Sequence, residues 1–222
     1  RVDGTDVLPE LLEAHGDEIA RSVGLARRLI DELGVIPSYY LHYFYTHDRI
    51  LAEQLVGVPR AATVAEIERD LIQMYSDPNL VEKPALLEQR GGAFYSEAAI
   101  GLVASLASDG GESQVVDVRN NGTIEGMADD DVIEVLARVG NGGPAPLPQP
   151  RVAPELLGLM QHVSAYERLA AQAAATGDRV TARKALLTHP LIGQHPLSED
   201  LLDRLLEAGA DHLPQFHAGI GG

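Results

Sequence analysis

Apolar residues recur every three or four positions along most of the chain, and only near residue 115 does the pattern change. Leu8, Leu11, Leu12, Ile19, Val23, Ala26, Leu29, Ile30 and Leu33 predict helix from Asp6 to Leu33. Asp6 is placed to cap it, Pro9 is tolerated in its first turn, and Gly34 ends it. Gly16 offers a point of division into two helices. A second helix is predicted over Ser38 to Leu55 and a third over Thr63 to Tyr75, stopped by Asp77-Pro78. Lys83 to Gln89 reads as a short helix and Tyr95 to Ala107 as a strongly apolar one. Gln114 to Val118 then turns β-branched and alternating, Asn120-Asn121-Gly122 reads as a turn, and Val132 to Val139 as a second strand. Asn141 to Pro150 is rich in Gly and Pro and is expected to be a loop that continues neither element. Helix returns over Pro154 to Thr176, Asp178 to Thr188 capped by Asp178, and Ser198 to Ala208 capped by Ser198. The expected fold is therefore α+β, mainly helical with a small antiparallel sheet, and the flanks of the Gly/Pro loop are too short for two separate cores.

Composition narrows the function. The chain has 222 residues, and 17 basic against 33 acidic side chains give a net charge of −16. A surface that negative repels phosphate backbones, so nucleic acid is not an expected partner. No apolar run is long enough for a bilayer, so no membrane association is expected, and a cytoplasmic location follows as an expectation. The absence of cysteine removes disulfides, thiolate nucleophiles and thiolate metal ligands from this chain. Arg1 to Thr5 reads as a strand end followed by an Asp-Gly turn without its partner strand. That is the expectation for a piece of a longer protein, with a processed terminus as the other reading.

The usual catalytic signatures are missing: no phosphate-binding Gly-rich loop with Lys-Ser/Thr, no nucleophile elbow, no zinc-binding His-Glu-x-x-His, and no dinucleotide fingerprint after a strand. Asp129-Asp130-Asp131 reads as a solvated turn before a strand rather than a metal cluster. His42 and His47 are five apart, a poor match to one helix face, and read as surface or partner-facing groups. The unusual feature is the run Tyr39, Tyr40, Tyr43, Phe44, Tyr45 in a chain with only seven tyrosines. On a helix, Tyr40, Tyr43 and Phe44 share a face. A core stripe and a polar pocket wall both fit, the hydroxyls arguing for the wall. A tyrosine acts as a base only when nearby positive charge stabilises its phenolate, because a free phenol titrates near pH ~10. Arg60 can serve there, or in paired hydrogen bonds to an anionic or polyhydroxyl ligand, or as an ordinary helix-start arginine. Arg90-Gly91-Gly92 is a weak loop pattern for close ligand approach. Asn120-Asn121-Gly122 fits hairpin chemistry, with amides for sugar hydroxyls as the second reading.

The ordered set of segments resembles the carboxy-terminal part of glycoside hydrolase family 4, especially its 6-phospho-β-glucosidases. It comprises Val2 to Leu12, Ile36 to Tyr43, Lys83-Pro84, Arg90 to Ala99, Asn120 to Gly122 and Tyr166 to Leu169. The resemblance implies a domain like the second domain of lactate and malate dehydrogenases, here spanning residues 1–222. An amino-terminal Rossmann domain would lie outside the chain. It further implies a glycosidase dependent on NAD and a divalent metal such as Mn²⁺, an exception to the two-carboxylate mechanism. In such enzymes the sugar C3 hydroxyl is oxidised, a tyrosine removes the C2 proton, the aglycone leaves by elimination, water adds and the hydride returns. By position, Tyr40 matches the proposed base and Arg60 an active-site arginine, while Asn120 and Asn121 match a shared motif and are taken, with Arg60, as candidate substrate-binding residues. The family's metal ligands, a cysteine and a histidine, and its NAD fingerprint belong upstream, so no cofactor or metal is expected on this chain alone. Nor is turnover expected from it. The implied partners are a phosphorylated β-glucoside or disaccharide, the missing Rossmann domain and further copies in a homo-oligomer. A helical binding or oligomerisation domain without chemistry, and the second domain of a hydroxy-acid dehydrogenase, are the alternatives.

Overall fold

The computed structural model describes residues 5–91, 95–109 and 111–217. They fall into two compact units, Arg1–Glu66 and Ile67–Gly222, with the division inside one helix rather than at the Gly/Pro loop. In the first unit, α1 (Leu8–Val23) and α2 (Arg27–Leu33) form a hairpin around Leu12, Ala20, Val23, Leu25 and Ile30, with Tyr45 packed against them. Ile30 is fully buried, and burial of such a side chain contributes about 2–3 kcal/mol. The predicted helix from Asp6 to Leu33 is therefore two, but Gly16 is not where it divides. Gly24, at φ 69°, adopts the left-handed cap conformation and closes α1. Gly16 lies inside α1, where a Cβ would stand 2.2 Å from the Arg27 guanidinium. Asp31 accepts from Arg27 Nε at 2.7 Å and, together with the nearby Asp17, raises its pKa. Gly34 ends α2 as predicted.

The predicted helix from Ser38 to Leu55 is broken into a single 3₁₀ turn (Tyr39–Leu41), α3 (His42–Tyr45) and α4 (His47–Val56), the last two separated at Thr46, whose φ of −130° is not helical. Helix α5 (Arg60–Tyr75) begins three residues before Thr63, since the Pro59 carbonyl accepts from the Ala62 and Thr63 amides and opens the helix.

The second unit contains α6 (Leu86–Arg90), α7 (Tyr95–Leu106) and an antiparallel sheet in the order β1 (Glu112–Arg119), β2 (Val132–Gly140), β3 (Gly143–Pro146). β2 alternates strictly, with Ile133, Val135, Ala137 and Val139 buried and the residues between them exposed. Ser105 of α7, itself buried, donates to Glu112 and accepts from Gln114, tying that helix to β1. The third strand corrects the loop expected at Asn141 to Pro150. Asn141-Gly142 turns the chain, and Gly143 to Pro146 pairs with Gly140 to Ala137. Its prolines are tolerated because β3 is an edge strand and the ladder does not need their missing N–H groups. Beyond it, α8 (Pro154–Thr176), α9 (Arg179–Thr188) and α10 (His195–Ala208) pack around Ala173, Ala182, Leu202, Leu206 and Phe216. Asp178 caps α9 as predicted, accepting from the Val180 and Thr181 amides. α10 starts earlier than Ser198, because Pro196 fits its first turn. Ser198 is instead buried, with its hydroxyl donating to the His195 carbonyl at 2.8 Å. No helix of the described residues is long and apolar enough to cross a membrane.

Candidate functional site

The aromatic run forms neither a core stripe nor one helix face. Tyr40 projects from the 3₁₀ turn with 74% of its surface exposed, and its ring stands edge-to-face with that of Tyr39, centroids 5.9 Å apart. Phe44 is partly exposed, and Tyr45 alone turns inward to the core of the first unit. Tyr39 and Tyr43 instead line a cleft of about 560 Å³ together with His42, Glu53, Gln54 and Arg60. Helix α5 thus presents Arg60 to the aromatic wall. Tyr40 is not among the lining residues of that cleft.

His42 corrects the expectation of a surface histidine. Its ring is only 4% exposed and lies between those of Tyr39 and Tyr43, with centroids 4.3 and 4.1 Å away. Its Nδ1 is within hydrogen-bond reach of the Tyr39 carbonyl. A carbonyl oxygen only accepts, so Nδ1 carries the hydrogen. The 3.6-residue pattern could not show this burial, because the chain here is not a continuous α-helix.

The Asn120 to Asp131 loop belongs to the second unit. Asn121 (φ 40°) and Gly122 (φ 81°) form a turn closed by the Thr123 amide on the Asn120 carbonyl at 2.7 Å. Rather than joining β1 to β2 directly, this turn opens a longer loop that folds back on Asn120. The Asn120 side chain has no exposed surface. It donates to the carbonyls of Ile124 and Met127 at 3.2 and 3.1 Å, and accepts from the Ile124 amide at 2.7 Å. Asn121 lines an open cleft with Asp117, Arg119 and Thr123. The acid cluster that follows is a turn before β2 as predicted, with Asp129 and Asp130 exposed, but its last member is not solvated. Asp131 is buried and accepts from Ser164 at 2.6 Å, Arg168 Nε at 2.8 Å and the Ala128 amide at 2.9 Å, while Arg168 grips Asp130 with both terminal nitrogens. The Ser164 hydroxyl first, then Arg168, hold the Asp131 carboxyl below the usual carboxylate range against the opposing effect of burial. Gln161 donates to the Gly126 carbonyl at 2.6 Å. Gln161, Ser164 and Arg168, spaced three and four apart on α8, thus bind the loop along one helix face. That polar stripe is the signal by which the clamp could have been found in the sequence.

Among the described residues no group of three or more His, Asp or Glu is placed to hold a metal ion, and no Gly-rich strand–turn–helix is present to receive a dinucleotide. These residues do not fit either cofactor by themselves. Of the Arg90-Gly91-Gly92 pattern, Gly92 lies outside the described residues, as do Arg1 to Gly4.

The decisive finding is a match of residues 1–192 to the family model described as "Family 4 glycosyl hydrolase C-terminal domain". The chain belongs to glycosyl hydrolase family 4. A probable 6-phospho-beta-glucosidase of Bacillus subtilis is 35% identical over 97% of this chain and 51% of its own length. A 6-phospho-beta-glucosidase of Escherichia coli is 30% identical over 97% of this chain and 51% of its own. Among solved structures, the 6-phospho-beta-glucosidase of Thermotoga maritima with manganese, NAD⁺ and glucose 6-phosphate superposes with a TM-score of 0.87 at 32% identity. That match covers 96% of this chain and 51% of that one. The family 4 chain described here thus spans about half the length of the relatives it matches, and its α+β fold is that of their carboxy-terminal part.

Proposed function

We propose that this chain is the carboxy-terminal part of a 6-phospho-β-glucosidase that depends on NAD and a divalent metal such as manganese, with Tyr40 as the proton acceptor and Arg60 as a substrate-binding cation. The observation that supports the reading is Tyr40 itself: an exposed phenol on a short turn, at the position that matches the family's proposed base. The chain's own chemistry begins on a sugar that already bears a carbonyl at C3, and no part of that oxidation is assigned to its residues. The side-chain oxygen of Tyr40 takes the C2 proton, and the C–H electron pair delocalises toward the C3 carbonyl. Its return expels the aglycone oxygen from C1 and leaves a C1–C2 double bond, to which water then adds. General base catalysis of this kind contributes roughly 10²- to 10⁴-fold.

Arg60, beside the polar wall of Tyr39 and Tyr43, suits the anionic or hydroxyl-rich end of a sugar phosphate because its guanidinium donates paired hydrogen bonds. Asn121 is placed at an open surface where its amide is available to a ligand, whereas Asn120 acts through the shape of its loop. Further partners in this reading are the remaining half of the protein and, in a cytoplasmic homo-oligomer, other copies of it. Leu55, Val56 and Val58 in the first unit and Ile100 and Val103 in the second, each more than 60% exposed, support a covering partner.

The test is p-nitrophenyl β-glucoside 6-phosphate cleavage by the full-length protein with NAD and Mn²⁺, using substrate carrying hydrogen or deuterium at C2. A C2 isotope effect on kcat is expected, and Tyr40→Phe is expected to lose roughly 10³-fold in kcat. Full activity in that variant would remove Tyr40 from the mechanism, and turnover by the isolated 222-residue chain would contradict the division of labour.

A further inference from the structure

Tyr40 is held little by packing of its own ring, since the side chain is mostly in solvent and its ring stands edge-to-face with that of Tyr39. The direction of Tyr40 must come from the three-residue turn beneath it, and that turn has no side-chain cap from Ser38. The turn is closed by the Leu41 amide on the Ser38 carbonyl at 2.9 Å and, at its far end, by His42. Its backbone N–H reaches the Tyr39 and Tyr40 carbonyls, and its Nδ1–H donates to the Tyr39 carbonyl as well. The ring is packed between Tyr39 and Tyr43 and shielded from water. The His42 carbonyl accepts from the Thr46 hydroxyl at 2.7 Å and its amide at 3.0 Å. The Thr46 oxygen accepts in turn from Arg49 Nη2 at 3.2 Å, and the same nitrogen donates to the carbonyl of Gly24, the cap of α1, at 3.3 Å. An unbroken series of hydrogen bonds therefore runs from the α1–α2 framework to the turn that carries the phenol.

We infer that His42 is a positioning residue for Tyr40, fixing the 3₁₀ turn through its Nδ1–H and anchoring that turn to the framework through Thr46 and Arg49. The inference rests on the assignment of Tyr40 as base. It attributes to a buried imidazole a role separate from proton transfer: the ring sets where the phenol oxygen stands relative to the sugar C2. Misplacement of a reacting group by about 1 Å can cost roughly 100-fold in rate.

The experiment compares His42→Phe and His42→Asn in the full-length protein, with p-nitrophenyl β-glucoside 6-phosphate bearing hydrogen or deuterium at C2. Phenylalanine fills the ring site but donates no hydrogen bond, whereas asparagine places an N–H close to where Nδ1 was. His42→Phe is expected to lose roughly 10- to 100-fold in kcat, with KM changed less than about threefold and an enlarged C2 isotope effect. His42→Asn is expected to recover most of the rate. A role confined to stability would lower the melting temperature while leaving kcat per folded molecule and the isotope effect as they were, and that result overturns the inference. So does equal loss in both variants. Should His42→Phe fail to fold, Thr46→Val decides: a smaller loss of kcat with a raised isotope effect supports the inference, and an unchanged kcat defeats it. Tyr40→Phe separates the two readings. Activity in that variant refutes the base, whereas an inactive Tyr40→Phe beside a fully active His42→Phe refutes only the positioning role.

Discussion

The turn from Tyr39 to Tyr45 and the loop from Asn120 to Asp131 carry the polar side chains that the sequence marks out, and they use them in opposite ways. In the loop, Asn120 and Asp131 direct their polar atoms inward, each satisfied by two or three partners, and α8 adds Gln161, Ser164 and Arg168 to the clamp. In the turn, the buried polar work falls to one histidine, and the phenol two residues before it is left outside. A rigid polar loop and a presented phenol differ in what they do with polar atoms: buried hydrogen-bonding groups must be paired, whereas an exposed hydroxyl has water or a ligand to meet. The contrast predicts that substitutions in the two segments separate cleanly into losses of rate and losses of stability.

The largest effect is expected at Tyr40. Removing one exposed hydroxyl by Tyr40→Phe should cost roughly 10³-fold in kcat, the middle of the range for a general base. The thermal midpoint should stay within a degree or so, because the ring contributes little packing. A variant that kept its rate, or lost it only by unfolding, would erase the distinction between the segments.

Asn120→Ala is the opposite case. It strips partners from the Ile124 amide and from the Ile124 and Met127 carbonyls, and unsatisfied buried groups of this kind cost about 3 kcal/mol in total. Denaturant titration should show that loss, with kcat per folded molecule preserved. Unchanged stability with a raised KM would make Asn120 a ligand-binding residue after all.

Acid should act on the same loop. The folded carboxyl of Asp131 titrates below the usual range, chiefly through Ser164 and then Arg168. Between its folded pKa and the unfolded value near ~3.9 the unfolded chain binds the extra proton, so stability falls as pH drops through that window and is complete above it. Asp131→Asn removes this contribution. The drop in urea midpoint between about pH 6 and pH 3 should therefore be smaller in the variant, Asp130 and Asp178, also lowered, supplying the remainder. An equal drop in both proteins would show that Asp131 stays protonation-neutral to folding.

What the sequence disclosed, and what it did not, follows from the reach of each determinant. Asp178, Gly34 and the alternation of β2 act within a few residues of themselves, and all three appear where local rules place them. Gly16 was misread because the group lying against it, the Arg27 guanidinium, arrives from the next helix. The burial of Asp131 was not legible because its partner Arg168 lies 37 residues away. β3 was hidden by its prolines although Asn141-Gly142 is a strong hairpin signal. The aromatic run was legible as unusual, and family likeness singled out Tyr40. The histidine under it was not legible, because a helical wheel assumes the regular helix that the 3₁₀ turn replaces.

The smallest expected effect tests the exposed member of the loop. Asn121 holds φ at 40°, a left-handed conformation that asparagine and glycine adopt readily and alanine does not. Asn121→Gly should therefore be nearly neutral for folding, while Asn121→Ala should cost about 1 kcal/mol. Both remove the amide that lines the cleft with Asp117, Arg119 and Thr123. If that amide binds the sugar, KM should rise to the same extent in the two variants in spite of their different stabilities. If Asn121 serves only the turn, KM should stay at the wild-type value in both and only the alanine variant should melt early. The pair thus tests whether any side chain of this loop is held outward for a ligand, as Tyr40 is in the other segment, or whether the whole loop is spent on its own shape.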